Sequence, residues 1–101
     1  MIVRFAVVAF CLTIGPHHAL AQDQAPAGAC LSTEISARGE PASYRWLALA
    51  KARGNWRARV RMTQDMGAVY ADWSAAADPV ERCIENTGSI VCTVTGKPCR
   101  R

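Results

Sequence analysis

The sequence predicts an α+β fold in which one long helix packs on a small antiparallel sheet with a C-terminal β-hairpin, stapled by disulfides. Three observations carry that expectation. Ala42 to Met62 is free of proline and rich in Ala, Leu and Arg; two β-capable runs flank Asn86-Thr87-Gly88-Ser89; and the cysteine count is even once an N-terminal leader is set aside.

The leader comes first because it decides what is left to fold. Arg4 opens a basic start, Phe5 to Ile14 form an apolar run, and Gly15-Pro16 break it before Ala19-Leu20-Ala21. That is the charged, apolar, small-x-small layout of a secretory signal peptide, with cleavage expected after Ala21. An uncut anchor would need ~20 apolar residues to cross a bilayer, about twice this run. Lipid attachment at Cys30, after Ala27-Gly28-Ala29, is the lesser alternative, since no Leu stands three residues before the cysteine. With residues 1–21 removed, 80 of the 101 residues remain, and dropping Arg4 from the 12 Lys and Arg leaves 11 against 8 Asp and Glu, a small basic domain of net charge +3. The expected home is the periplasm or the medium, and the expected mature chain has no transmembrane segment.

A chain that short buries only about 60–65% of its unfolded surface, so its core is marginal without cross-links. Dropping Cys11 from the five cysteines leaves four, Cys30, Cys83, Cys92 and Cys99. An even count in a small exported domain reads as a disulfide framework with three possible pairings. Zinc is the competing reading, but there is no C-x-x-C, and His17 and His18 leave with the leader.

Element by element, Gln22 to Ala29 is small, polar and Pro-containing, the composition of a flexible tether, and residues 30–101 form the single domain. Leu31 to Arg38 alternates as a short strand with one polar face, and Gly39 breaks it. Glu40-Pro41 opens the helix, because proline suits a first turn. Ala42, Leu49, Trp56 and Val60 fall on one stripe facing the core, with Trp46 and the stem of Arg53 at its edge. Gly54-Asn55 is a weak spot, yet the stripe keeps phase across it, so one continuous helix is expected to exit at Thr63-Gln64-Asp65. Met66 to Ala77 is assigned a short helical turn leading into an edge strand, and Asp78-Pro79 a turn.

The hairpin then specifies its own register. If Thr87-Gly88 is a two-residue turn, Asn86 faces Ser89 and Cys83 falls opposite Cys92 at a non-hydrogen-bonded pair, where backbones come closest. Cys83–Cys92 is therefore expected, leaving Cys30–Cys99; the alternative joins Cys83 or Cys92 to Cys99.

Taken together, Ile35-x-Ala37-x-Gly39, then Ala48, Ala52, Trp56 and Val60, then Gly67, Tyr70, Trp73 and Ala76, then Cys83, Cys92 and Pro98-Cys99 make the chain resemble a group of uncharacterised small exported proteins of α-proteobacteria. The resemblance covers about two-thirds of the precursor and implies a periplasmic home. It lends no catalytic residue and no ligand.

Loss of both histidines with the leader removes the commonest general base and metal ligand, and no Gly-rich phosphate loop is present. The carboxylates Asp23, Glu34, Glu40, Asp65, Asp72, Asp78, Glu81 and Glu85 are scattered, which makes a two-carboxylate hydrolase a distant reading. No catalytic residue, metal or cofactor is expected, nor a specific nucleic acid. Arg45, Lys51, Arg53, Arg57, Arg59 and Arg61 occur with no acidic residue from Pro41 to Gln64. They do not share a helical face, so solvated surface outweighs a polyanion site. Among Tyr44, Trp46, Trp56, Tyr70 and Trp73, core packing outweighs a ligand-stacking platform, with Trp46 the one that stands ready for a partner. The expectation is a non-catalytic protein-interaction module with an envelope protein as its partner. The alternative is a cationic binder of envelope polyanions or an anionic membrane surface. Trp46, Arg53, Arg57 and Arg59 are the contact candidates for either.

Overall fold

The computed structural model describes residues 28–63 and 66–101. The expected signal peptide lies outside the described residues, as does all of the expected tether except Gly28 and Ala29. One helix, α1 (Arg45–Met62), packs on a three-stranded antiparallel sheet of β1 (Ile35–Arg38), β2 (Ala77–Asn86) and β3 (Ser89–Lys97) in the order β1-β3-β2. The expected fold class is the observed one.

β3 is central because it alternates for two neighbours and one helix. Its even-numbered residues Cys92, Val94 and Gly96 are buried against the helix side, while Thr93 and Thr95 point to the open face. On one side it pairs with β1 from Ile35↔Gly96 to Arg38↔Thr93. The pairing extends beyond β1 in both directions, through a Cys30↔Cys99 bridge and an Ala42↔Ile90 bridge. Gly28 N–H donates to Arg100 O at 2.8 Å and Arg100 N–H to Ala29 O at 2.7 Å, so the last two residues of the expected tether are paired with the tail. The strand expected from Leu31 is shorter than expected, starting at Ile35 after a bend at Ser32-Thr33.

Gly39 does not end the pairing. Its N–H donates to Cys92 O at 2.9 Å, and its missing side chain is a packing requirement: a Cβ there would lie 2.6 Å from the backbone N of Ala52. The chain passes this close to α1 only because the helix presents Ala48 and Ala52 at the crossing. The core stripe of α1 is accordingly Ala48, Ala52, Trp56 and Val60 at i, i+4 spacing. Leu49 is only half-buried beside it. Ala42 is buried, but by bridging to Ile90 in extended backbone.

That bridge also corrects the helix start. Ala42 N–H and O both bond Ile90 across 2.8–2.9 Å, which holds Pro41-Ala42 extended and delays the helix to Arg45. Tyr44 is the N-cap in extended conformation with no side-chain cap. The helix does run unbroken through Gly54-Asn55, and Asn55 adds an anchor, donating to Arg38 O at 2.9 Å and Glu40 Oε1 at 3.0 Å. Thr63 closes the helix, its N–H and hydroxyl both donating to Arg59 O; residues 64–65 of the expected exit lie outside the described residues.

Trp56 fills the centre of the core. It is fully buried, donates through Nε1 to Ile35 O at 3.0 Å, and meets Trp73 edge to face at 5.1 Å. Burying an indole requires such a partner for its N–H. Trp73 in turn lies over Gly96, where a Cβ would come within 3.0 Å of the ring. The stretch before the hairpin forms two 3₁₀ turns, Ala68–Tyr70 and Trp73–Ala75, rather than a turn and an edge strand. Asp78-Pro79 is not a free turn either. It sits inside β2 as an irregularity between Ala77↔Lys97 and Val80↔Thr95, with Asp78 at φ +50°. A proline lacks the N–H that the ladder needs, so the register shifts there.

The hairpin register is as derived, Asn86↔Ser89 and Cys83↔Cys92. Cys92 O accepts from Gly39 on the β1 side, so the Cys83–Cys92 position is non-hydrogen-bonded. Both expected disulfides form, Cys83–Cys92 with Cα atoms 4.0 Å apart and Cys30–Cys99 with Cα atoms 3.9 Å apart. The second joins the start of the domain to its tail. All four thiols are spent in these bonds, which removes the zinc alternative. No helix of the described residues is long and apolar enough to cross a membrane.

Candidate functional site

The contact candidates sit on α1, and the way it is packed decides which of them are available. Its Ala48-Ala52-Trp56-Val60 stripe faces the sheet, leaving one flank toward β2 and one toward β1. Trp46, Arg53 and Arg57, spaced i, i+7 and i+11, share the β2 flank. Arg53 Nη2 lies 2.7 Å from both carboxylate oxygens of Glu81 on β2, so its charge is neutralised within the domain. Arg57 reaches back along the helix surface beside Gly54 and has no ion-pair partner among the described residues.

Arg59 belongs to the other flank. Its Nη1 donates to Ser36 O of β1, which commits it to structure. Lys51 on that flank likewise donates to Pro41 O at 3.1 Å. Of the four contact candidates, the structure therefore groups Trp46, Arg53 and Arg57, and separates Arg59 from them.

Trp46 is 69% exposed, and Tyr44 beside it is 62% exposed. Their rings stack at 6.3 Å with an 18° interplanar angle. The bridge of Ala42 to Ile90 holds the chain out of the helix up to a bend at Ser43-Tyr44, and the Tyr44 ring leaves the backbone just before the first helical turn projects Trp46. Because the helix begins four residues after Pro41, Trp46 sits in its first turn, clear of the core that holds Trp56. Sequence reasoning placed Trp46 at the edge of the stripe; in the first turn of the helix it is mostly exposed.

A second cluster, which the spacing along the chain does not reveal, lies at the other end of α1. Arg61 in the last turn, Asp72 before the second 3₁₀ turn, and Arg100 and Arg101 of the tail surround a depression of about 430 Å³ lined also by Ala68, Val69 and Ala71. Asp72 Oδ1 accepts from Ser74 N–H at 3.0 Å and Ser74 hydroxyl at 2.6 Å, and Oδ2 lies 3.1 Å from Arg101 Nε. The Ser74 hydroxyl above all, then its N–H and the Arg101 charge, hold the Asp72 carboxyl below its ordinary range. The only signal in the sequence was the basic ending after Pro98-Cys99, and the packing of β3 on α1 brings that ending to the helix, with the Cys30–Cys99 bond and the backbone bonds of Arg100 holding it in place.

Among the described residues, no group of three or more His, Cys, Asp or Glu is placed to hold a metal ion. The two clusters are an exposed aromatic pair at one end of the helix and a depression lined by guanidinium groups at the other. These features define an α+β domain with two disulfides. Comparison with protein-family models, with curated proteins and with solved structures finds no match to this chain.

Proposed function

We propose that this chain is an exported, disulfide-stapled protein-interaction module of the periplasm or medium, acting by binding rather than catalysis through the face built on Tyr44 and Trp46. The observation that carries this reading is the exposed, mutually stacked aromatic pair. Large amphipathic rings held rigid at low entropy cost are the side chains that dominate protein–protein contacts, together with arginine. Arg57 on the same flank supplies such a cation. The ion pair of Arg53 with Glu81 weighs against a polyanion surface along the helix, because it neutralises one of the charges such a surface would use, and the hydrogen bond to Ser36 O holds Arg59 on the other flank.

Export is supported by the leader pattern of residues 1–21, by the resemblance to exported α-proteobacterial proteins, and by two disulfides of the kind that persist in oxidising compartments. N-terminal sequencing of the protein recovered from a periplasmic fraction should begin at Gln22. For the binding face, a photo-crosslinking residue at position 44 should trap one dominant protein adduct, identified by mass spectrometry. Trp46→Ala should abolish it and Arg57→Glu should leave most of it. Heparin or lipopolysaccharide retention that collapses with salt and disappears in Arg57→Glu, with no adduct dependent on Trp46, would replace this reading with the polyanion one.

A further inference from the structure

We infer that the depression at the C-terminal end of α1 is a second binding site, specific for a phosphate monoester dianion. It stands well apart from the aromatic face: Arg61 follows Trp46 by fifteen residues of helix, about 22 Å along the axis. Its lining carries three guanidinium groups, Arg61, Arg100 and Arg101, and one carboxylate, Asp72. The side-chain charges of the lining, three positive and one negative, sum to +2, an excess that a dianion complements.

Asp72 does not relieve that excess beyond Arg101, because its other oxygen is engaged by Ser74. Arg61 and Arg100 have no ion-pair or side-chain hydrogen-bond partner among the described residues. A guanidinium with no partner among the described residues carries a fork of N–H donors suited to a tetrahedral oxyanion, and two of them line this depression.

The donors are also mounted on fixed backbone. Arg61 stands in the last turn of a continuous helix. Arg100 is held on both sides, its N–H donating to Ala29 O and its carbonyl accepting from Gly28 N–H, directly after the buried Cys99 of the end-to-end disulfide. A fixed backbone confines the freedom lost on binding to that of the side chains. The methyl groups of Ala68, Val69 and Ala71 leave room beyond the phosphate for the small sugar or glyceryl body of the ester.

The test uses the disulfide-bonded protein. Inorganic phosphate, titrated against sodium chloride at matched ionic strength, should produce a saturable calorimetric signal and a rise in melting temperature. Arg61→Gln and Arg100→Gln should each weaken binding roughly tenfold or more, as expected for loss of a charge-assisted fork, whereas Arg100→Lys should retain part of it. Arg57→Gln and Trp46→Ala should bind as the parent does, which separates this site from the aromatic face. Flotation with phosphatidic acid vesicles, against phosphatidylcholine vesicles, distinguishes a lipid-borne phosphate from a soluble one; binding in either arm supports the site. Absence of saturation in both arms, or full binding by folded Arg61→Gln and Arg100→Gln, overturns it.

Discussion

The two antiparallel neighbours of β3 are held in opposite ways. On one side, the run from Gly28 to Ala42 carries β1, buries Ala37, threads Gly39 against the backbone of Ala52, and receives the Trp56 N–H at Ile35. On the other, no residue of β2 is buried, and only Ala77 and Cys83 are even half-buried. The β1 side is held by burial under the helix. The β2 side is held by its ladder to β3, the Cys83–Cys92 bond, and the Arg53–Glu81 ion pair. A domain too small to cover both flanks with one helix covers one and leaves the other to its ladder and a short cross-link, while the Cys30–Cys99 bond ties the covered run to the tail.

The largest test of that contrast is the end-to-end staple. Cys30→Ser with Cys99→Ser opens a loop with sequence separation 69, worth about 4.4 kcal/mol in the chain-entropy picture, and should unfold most of the domain at 37 °C by circular dichroism. Removing the hairpin staple, Cys83→Ser with Cys92→Ser, opens a separation of only 9 and should cost about 2.7 kcal/mol by urea titration. Its amide exchange should accelerate in β2 before β1. A hairpin staple that proves the costlier of the two would show that the exposed side, and not the end-to-end closure, limits the stability of the domain.

Gly39→Ala probes the buried side at one atom. The added methyl meets helix backbone, which cannot swing aside, so a loss of about 2 kcal/mol is expected in the same titration. Glu81→Gln probes the exposed side and should cost no more than about 1 kcal/mol, less at high salt, because the Arg53 pair is partly solvated. A Glu81→Gln loss equal to that of Gly39→Ala would show that the ion pair, not the ladder, holds the hairpin.

The smallest effect is a titration. Asn55 Nδ2 donates to Glu40 Oε1, and this bond above all holds the Glu40 carboxyl below its ordinary range. A depressed folded value means that the contribution to stability is present above the usual carboxylate range and is lost as pH falls through the depressed value. Carbon-detected NMR titration of Glu40 should show the depression, and Asn55→Ala should return it toward normal.

How far the sequence could be read follows from the same contrast. The hairpin was legible down to its cysteine pair, because a two-residue turn dictates register and register dictates which side chains meet. The Cys30–Cys99 bond followed by remainder. The start of α1 was not legible: Pro41 is a helix-start cue, and it lost to the pairing of Ala42 with Ile90, 48 residues away. The alanine face of the helix was hidden for a related reason. Ala48 and Ala52 look less like core than Leu49 until a glycine strand is laid against them. Of the contact candidates, Trp46 was legible as an exposed residue at the edge of the stripe, while the commitment of Arg59 to Ser36 and of Arg53 to Glu81 was not.

By itself, then, the sequence determined the fold class, the hairpin register and the disulfide framework, since these depend on local periodicity, turn chemistry and cysteine count. Only the tertiary structure decided where the helix begins, which flank each arginine occupies, and that Arg61, Arg100 and Arg101 surround one depression. Those outcomes depend on contacts between segments far apart in the chain, and a contact of that kind leaves no periodic mark on either partner.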